Sequence, residues 1–316
     1  MASQLDFIVF GPGRSGTTAF AHAFRCHPRV FCATEFFKLN ADHSTFRLPA
    51  DMLRLQLSDR MHRRQSIEVL KEKLLRGDVD FYGNKMPNYY LQLDRLRQEL
   101  PDLKLFYIYR SPPDFVSSWD RRADRENDKW HEGRLGVFGA IEQVFCLKRL
   151  ASSSFDVTMV SYESLFFDEP LLMAQVIDRL GANATEFGQA QFEQQIFQKR
   201  KTRPEVVKRD IYEEFFSELR FDLVDSYFEA NPLARSSDPE FKRIVNDQFA
   251  RLPAPTRFAE FLRKLGSTVE DFAVTWRRQL RIHVDNREHP AAEWLLRYVA
   301  QASKDLVEAG SADNIK

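Results

Sequence analysis

From Leu5 to Leu180, short apolar runs alternate with segments of helical period. The first run, Leu5 to Phe10, ends at Gly11 and suits a buried strand feeding a turn. Val30 to Ala33, Phe81 to Asn84, Lys104 to Tyr109 and Phe155 to Val160 have the same character. Between them, the spacing predicts helices from Gly16 to about Arg25, Tyr89 to Glu99, Pro112 to Arg122 and Pro170 to Leu180. A charged helix is also expected over Ser58 to Arg76, with Met61, Ile67, Leu70, Leu74 and Leu75 on its apolar face. Strands that alternate with helices in this way pair in parallel through right-handed crossovers. The expected class is therefore α/β, a three-layer parallel sheet flanked by helices. Ligands of such sheets sit at the carboxyl ends of the strands.

Past Phe187 the strand signal fades. Ile211 to Phe228, Pro239 to Arg251, Thr256 to Leu265, Glu270 to Leu280 and Ala291 to Val307 read as helix. This divides the chain into an α/β core over residues 1–210 and a largely helical C-terminal extension over residues 211–316. Asn231 to Pro239, with its proline and serines, is the expected linker. Neither a repeat nor a low-complexity tract is present.

Composition narrows the function classes. The 316 residues suffice for a full core without a helper metal or disulfide. Lys+Arg and Asp+Glu each number 46, so no bulk charge recruits nucleic acid or an anionic membrane, and any anion site must be local. Cys26, Cys32 and Cys146 form no paired motif, which fits packed thiols in a reducing compartment. No leader precedes the pattern that begins at Leu5, and no run approaches the roughly 18 apolar residues of a membrane span. A cytoplasmic protein is expected. The histidines lack metal-ligand spacing, so no metal site is expected, and His27 belongs to a turn.

The stretch FIVFGPGRSGTT puts Gly11, Gly13 and Gly16 between a strand and a helix and fits two phosphate-binding templates. As GxGxxG it is a dinucleotide fingerprint, with Glu35 about 20 residues on, where a ribose-binding carboxylate would stand. That pattern supports an NAD(P)-binding oxidoreductase; a non-catalytic nucleotide-binding protein is the other alternative. As GxxxxG followed by Thr17 and Thr18 it is a P-loop whose lysine position holds Thr17. Either template aims backbone N–H groups at an anion. The later strand KLFYIYR closes with Arg110 where a nucleotide triphosphatase would place a carboxylate for Mg²⁺. A cation there favours an anion-rich ligand held without metal.

These residues resemble the P-loop-fold sulfotransferases, and most closely in motif spacing the tyrosylprotein sulfotransferases, over about Leu5 to Gly181. The likeness rests on GPGRSGTTAFAHAFRCHPRVF, similar to that family's 5′-phosphosulfate loop, and on YIYRSPPDFVSSW, similar to its 3′-phosphate signature. It implies a P-loop-type sheet and the donor 3′-phosphoadenosine-5′-phosphosulfate (PAPS), with adenosine 3′,5′-bisphosphate (PAP) as product. It implies that Gly13, Arg14, Ser15, Gly16, Thr17 and Thr18 hold the 5′ end of the donor, and Arg110 and Ser118 the 3′-phosphate. Glu35 in HPRVFCATE then matches the catalytic base, and Lys85 in YGNKMP the active-site lysine. Arg14 joins Lys85 in neutralising charge on the sulfuryl group. VSYESL resembles a strand-to-helix segment that supports the sheet.

The acceptor stays open: a carbohydrate or other small-molecule alcohol, a phenol or a peptide. Arg14 and Ala19 stand where small-phenol enzymes carry lysine and tryptophan, which disfavours that subgroup. Residues 40–60 and 121–135 are the expected acceptor mouth. The run QKRKTRPEVVKR is a segment that can close over the nucleotide.

Overall fold

The structure, a computed structural model, describes residues 5–35, 72–73, 79–123, 136–197, 209–264 and 290–313. Two compact units emerge. The first comprises Met1–Tyr109, Asp156–Thr202 and Asn231–Arg235; the second comprises Arg110–Phe155, Arg203–Ala230 and Ser236–Lys316.

The first unit is built on a six-stranded sheet. In chain order its strands are β1 (Phe7–Phe10), β2 (Val30–Thr34), β3 (Phe81–Lys85), β4 (Lys104–Tyr109), β5 (Thr158–Ser161) and β6 (Leu233–Arg235). Their spatial order is β2-β3-β1-β4-β5-β6. The first five run parallel, as the alternating pattern predicts, and β6 pairs antiparallel with β5. Helix α1 (Thr17–Phe24) follows β1, α2 (Leu93–Glu99) precedes β4, and a later helix, Leu172–Leu180, follows β5. Phe7, Val9, Phe106, Ile108 and Val160 share one sheet face and pack with Phe20 and Phe24 of α1 and with Val176, Ile177 and Leu180. Phenylalanine, frequent in the sequence, is prominent in this layer: the Phe7 and Phe24 rings lie 4.6 Å apart and those of Phe24 and Phe106 5.3 Å apart.

The second unit is helical. It contains α3 (Pro112–Ala123) and α4 (Gly136–Ser152); we label Leu172–Leu180 of the first unit α5. The second unit's other helices among the described residues are α6 (Arg209–Glu218), α7 (Phe221–Ala230), α8 (Pro239–Ala250), α9 (Pro255–Lys264) and α10 (Pro290–Asp313). Asp238 caps α8 by accepting the Glu240 N–H at 2.8 Å, with Pro239 in the first turn. Trp294 of α10 packs on Phe145 of α4 and Phe249 of α8.

Several elements differ from the sequence reading. Residues Asn231 to Pro239, expected as a linker, contain the edge strand β6, whose three residues are too few to show a period. The expected strand at Phe155 to Val160 begins only at Thr158. The single helix expected over Ile211 to Phe228 is two, broken where Arg220 takes a left-handed φ of 51°. Helix α4 has no expected counterpart. It is buried on nearly every side from Gly136 to Leu147, which erases the polar stripe that reveals a helix. The helix expected at Ser58 to Arg76 lies outside the described residues except for Glu72 and Lys73, which are helical. The same holds for residues 40–60, most of 121–135, most of the basic run, and Glu270 to Leu280.

Candidate functional site

The glycine loop joins β1 to α1. Its start is tied to the exit of β3, since the Gly11 N–H donates to Pro87 O at 3.1 Å and the Met86 N–H donates to Val9 O at 3.1 Å. A Cβ on Gly11 would stand 2.9 Å from Ile108 O. Gly16 is the N-cap of α1 at φ 99°, and a Cβ there would meet the Tyr162 ring at 2.3 Å, so both conformation and space demand glycine. Arg14 adopts φ 72°, a left-handed conformation that for a long side chain costs about 1–3 kcal/mol and signals a functional constraint.

No side chain caps α1 among the described residues and no acid occupies its first turn, so none of those side chains caps the positive end of the helix. Ser15 is fully buried, and its hydroxyl oxygen has no hydrogen-bond partner among the described residues. Leaving a buried hydroxyl unsatisfied costs about 1–3 kcal/mol, and an anion beside the helix start would remove that cost. Thr17 is buried and Thr18 half-buried directly after the cap. This donor set fits a phosphate.

Beside it lie Glu35 and Lys85. Parallel register aligns Val9 with Lys85 and Thr34 with Lys85, so the carboxyl ends of β1, β2 and β3 bring the loop, Glu35 and Lys85 to one edge of the sheet. The Glu35 N–H donates to Lys85 O at 2.7 Å, and the Lys85 ammonium donates to Glu35 Oε1. Lys85 is only 2% exposed at its side chain, whereas Glu35 is 39% exposed. A buried ammonium thus presents an accessible carboxylate. Glu35 also holds a left-handed φ of 55°. Below the pair, Asn84 Nδ2 donates to the Tyr89 hydroxyl at 2.7 Å inside the core and stiffens the turn after β3.

Arg110 and Ser118 belong to the second unit. Arg110 follows directly on β4 and is 8% exposed; its carbonyl accepts from Gln143 Nε2 of α4 at 3.4 Å. Ser118 is half-buried on α3, while its neighbour Ser117 turns its hydroxyl to Pro113 O at 2.7 Å.

The chain matches the sulfotransferase family over residues 6–186, more than half its length. It belongs to the sulfotransferase family. The P-loop-type sheet expected from the sequence goes with that membership, as does transferase chemistry. Among solved structures it is similar to a sulfotransferase from Alicyclobacillus acidocaldarius at 15% identity, covering 58% of this chain and 83% of that one with a TM-score of 0.35. Sulfotransferase STF9 from Mycobacterium avium is 14% identical over 63% of this chain and 69% of that one, with a TM-score of 0.37. A sulfotransferase domain from the curacin biosynthetic pathway is 14% identical over 58% and 75%, with a TM-score of 0.37. No curated protein matches in sequence. The family match supports membership in the sulfotransferases and not the narrower likeness to tyrosylprotein enzymes.

Two neighbours of the candidate site residues, Tyr162 beside Gly16 and Gln143 beside Arg110, were not visible in the sequence. Tyr162, within the segment VSYESL, covers Gly16, and the family-like segment was its only signal. Gln143 lies on the helix whose pattern was hidden. His27 is a turn residue, as expected: its Nδ1 accepts the Arg29 N–H at 3.1 Å and its Nε2 donates to Asn183 O at 2.9 Å. Among the described residues no group of His, Cys, Asp and Glu is arranged to hold a metal, and no helix is long and apolar enough to cross a membrane.

Proposed function

We propose that this protein transfers the sulfuryl group of PAPS to an acceptor hydroxyl, with Glu35 as base. The observation that carries the reading is the accessible Glu35 carboxylate on buried Lys85, at the strand ends that also carry an uncapped glycine loop. Gly13, Ser15, Gly16, Thr17 and Thr18 receive the 5′-phosphate through main-chain N–H groups and hydroxyls, including the open Ser15 hydroxyl. Arg110 and Ser118 take the 3′-phosphate; this assignment rests on the resemblance of their motif.

Donor binding brings a second anion to the Lys85 ammonium, which then shares its protons between Glu35 and the phosphate. As the acceptor oxygen attacks sulfur, its proton passes to Glu35. The new S–O bond forms while the bond from sulfur to the 5′-phosphate oxygen breaks, and PAP leaves with the electron pair. Arg14 and Lys85 neutralise charge on the sulfuryl and bridging oxygens as it develops. The accessible side of Glu35 admits a carbohydrate or another alcohol or phenol as acceptor.

Radiolabelled PAPS offered with an acceptor panel tests the proposal. Glu35→Ala should lower kcat by about 10²- to 10⁴-fold while PAP affinity, measured by calorimetry, stays the same. Full turnover in that variant would remove Glu35 from the role. Thermal stabilisation by NADP⁺ but not by PAP, with EDTA present, would point to the oxidoreductase alternative.

A further inference from the structure

The end of β2, from which Glu35 projects, is gripped from both sides. On the inner side β3 pairs with it, Thr34 opposite Lys85, and holds the Glu35 N–H. On its outer side β2 is the last strand of the sheet among the described residues, where open carbonyls weaken a strand's hold on its register. Arg25, which closes α1, occupies that side. Its Nε donates to Cys32 O at 2.8 Å and its Nη2 donates to Thr34 Oγ1 at 3.1 Å. The guanidinium carbon also lies 5.2 Å from the centroid of the Phe31 ring. The Arg25 carbonyl in turn accepts from the Lys73 ammonium at 2.8 Å, which anchors the root of the side chain.

A planar fork that spans two acceptors on one strand is a task for guanidinium; a lysine ammonium reaches one of them. The grip ends one residue before Glu35. That residue's left-handed φ of 55° persists only where the surroundings over-determine it. Without Arg25, β3 alone among the described residues holds the Glu35 backbone, which can then relax to an ordinary strand conformation and swing the carboxylate off Lys85.

We propose that Arg25 is a positioning residue for catalysis, fixing the outer edge of β2 so that Glu35 stays on Lys85 and faces the acceptor. The inference rests on Glu35 being the base, and the test separates the two. Turnover is read as PAP release from PAPS with p-nitrophenol, and with water alone, as the acceptor. Arg25→Met should lose about 10- to 100-fold in kcat, the scale of a small misplacement of a reacting group, with KM for PAPS within about twofold of the parent. Arg25→Lys should recover part of the loss. Thr34→Val, which removes only one acceptor of the fork and leaves the fold intact, should lower kcat in the same sense by a smaller factor.

In a Glu35→Ala background, Arg25→Met should cost nothing further, because the group it positions is gone. An equal loss with and without Glu35 overturns the proposal and leaves Arg25 a merely structural residue. Unchanged kcat in Arg25→Met overturns it as well. Full turnover in Glu35→Ala alone strikes instead at the base assignment. Independently of turnover, a crystal structure of Arg25→Met should show Glu35 displaced from Lys85, and an intact pair at the same φ overturns the proposal.

Discussion

The two ends of α1 keep opposite hydrogen-bond accounts. At its N-terminus, Gly16 offers no cap, Ser15 keeps a buried hydroxyl without a partner among the described residues, and Arg14 is held in a left-handed conformation. At its C-terminus nearly the reverse holds. The Arg25 N–H closes on His22 O and Ala23 O, and the Lys73 ammonium donates to Arg25 O, His27 O and Val30 O at 2.8, 2.5 and 2.9 Å. His27 is satisfied at both ring nitrogens, and the Gly188 N–H donates to Cys26 O at 3.2 Å. Among the described residues, one helix is left open at its start, where we propose that the donor binds, and sealed where the sheet is anchored. Polar groups left open in a folded protein cost stability until something binds, so the sealed end offsets what the open end loses.

The largest expected effect on stability comes from unsealing the anchored end. Burial lowers the Lys73 pKa to about 8, so at neutral pH the ammonium keeps three protons for three carbonyls. Lys73→Met should lower unfolding stability by about 1–3 kcal/mol in chemical denaturation, with PAP affinity unchanged. Unaltered stability would show that this end is not the anchor.

A smaller effect of mixed sign is expected at the open end. Ser15→Ala should leave the ligand-free protein as stable or slightly more stable, since it deletes an unsatisfied hydroxyl, and should weaken PAP binding by about 1 kcal/mol, roughly fivefold. A destabilised free protein with undiminished PAP affinity would erase the contrast between the two ends. The comparison can also be sharpened by ligand: PAP at 100 times its Kd should add about 2.7 kcal/mol to the parent and less to Ser15→Ala at the same concentration.

The smallest effect is a pH dependence. Burial pushes the His27 pKa below its ordinary value near 6.5, and the hydrogen bonds fix the neutral ring with its proton on Nε2. The folded state therefore binds fewer protons than the unfolded state as pH falls below about 6.5. Stability conferred by neutral His27 is complete above that value and declines through the acid side. His27→Gln should flatten the part of the denaturation-versus-pH curve between about pH 7 and 5. A curve of unchanged shape would place the titrating group elsewhere.

Legibility followed the same division. Gly11, Gly16, Thr17 and Thr18 could be read because backbone conformations that only glycine tolerates and the start of a helix leave local marks. Glu35 and Lys85 were each named from a motif, but 50 positions separate them, and only the parallel register of β2 with β3 turned two motif residues into a pair. The contacts of Arg25 and Lys73 left no mark in the sequence, because a side chain that satisfies carbonyls of another segment has no periodic signature. The five parallel strands could be read from their short apolar runs. The antiparallel β6 and the buried α4 could not, the first for lack of length and the second for lack of a polar face.

The sequence by itself determined the α/β alternation, the glycine loop and membership in the sulfotransferase family, since each is written in residues close together along the chain. Tertiary structure alone decided which polar groups end up satisfied. Whether a hydroxyl such as that of Ser15 is left open, or a carbonyl such as that of Cys32 is closed, depends on partners brought near only when the chain folds.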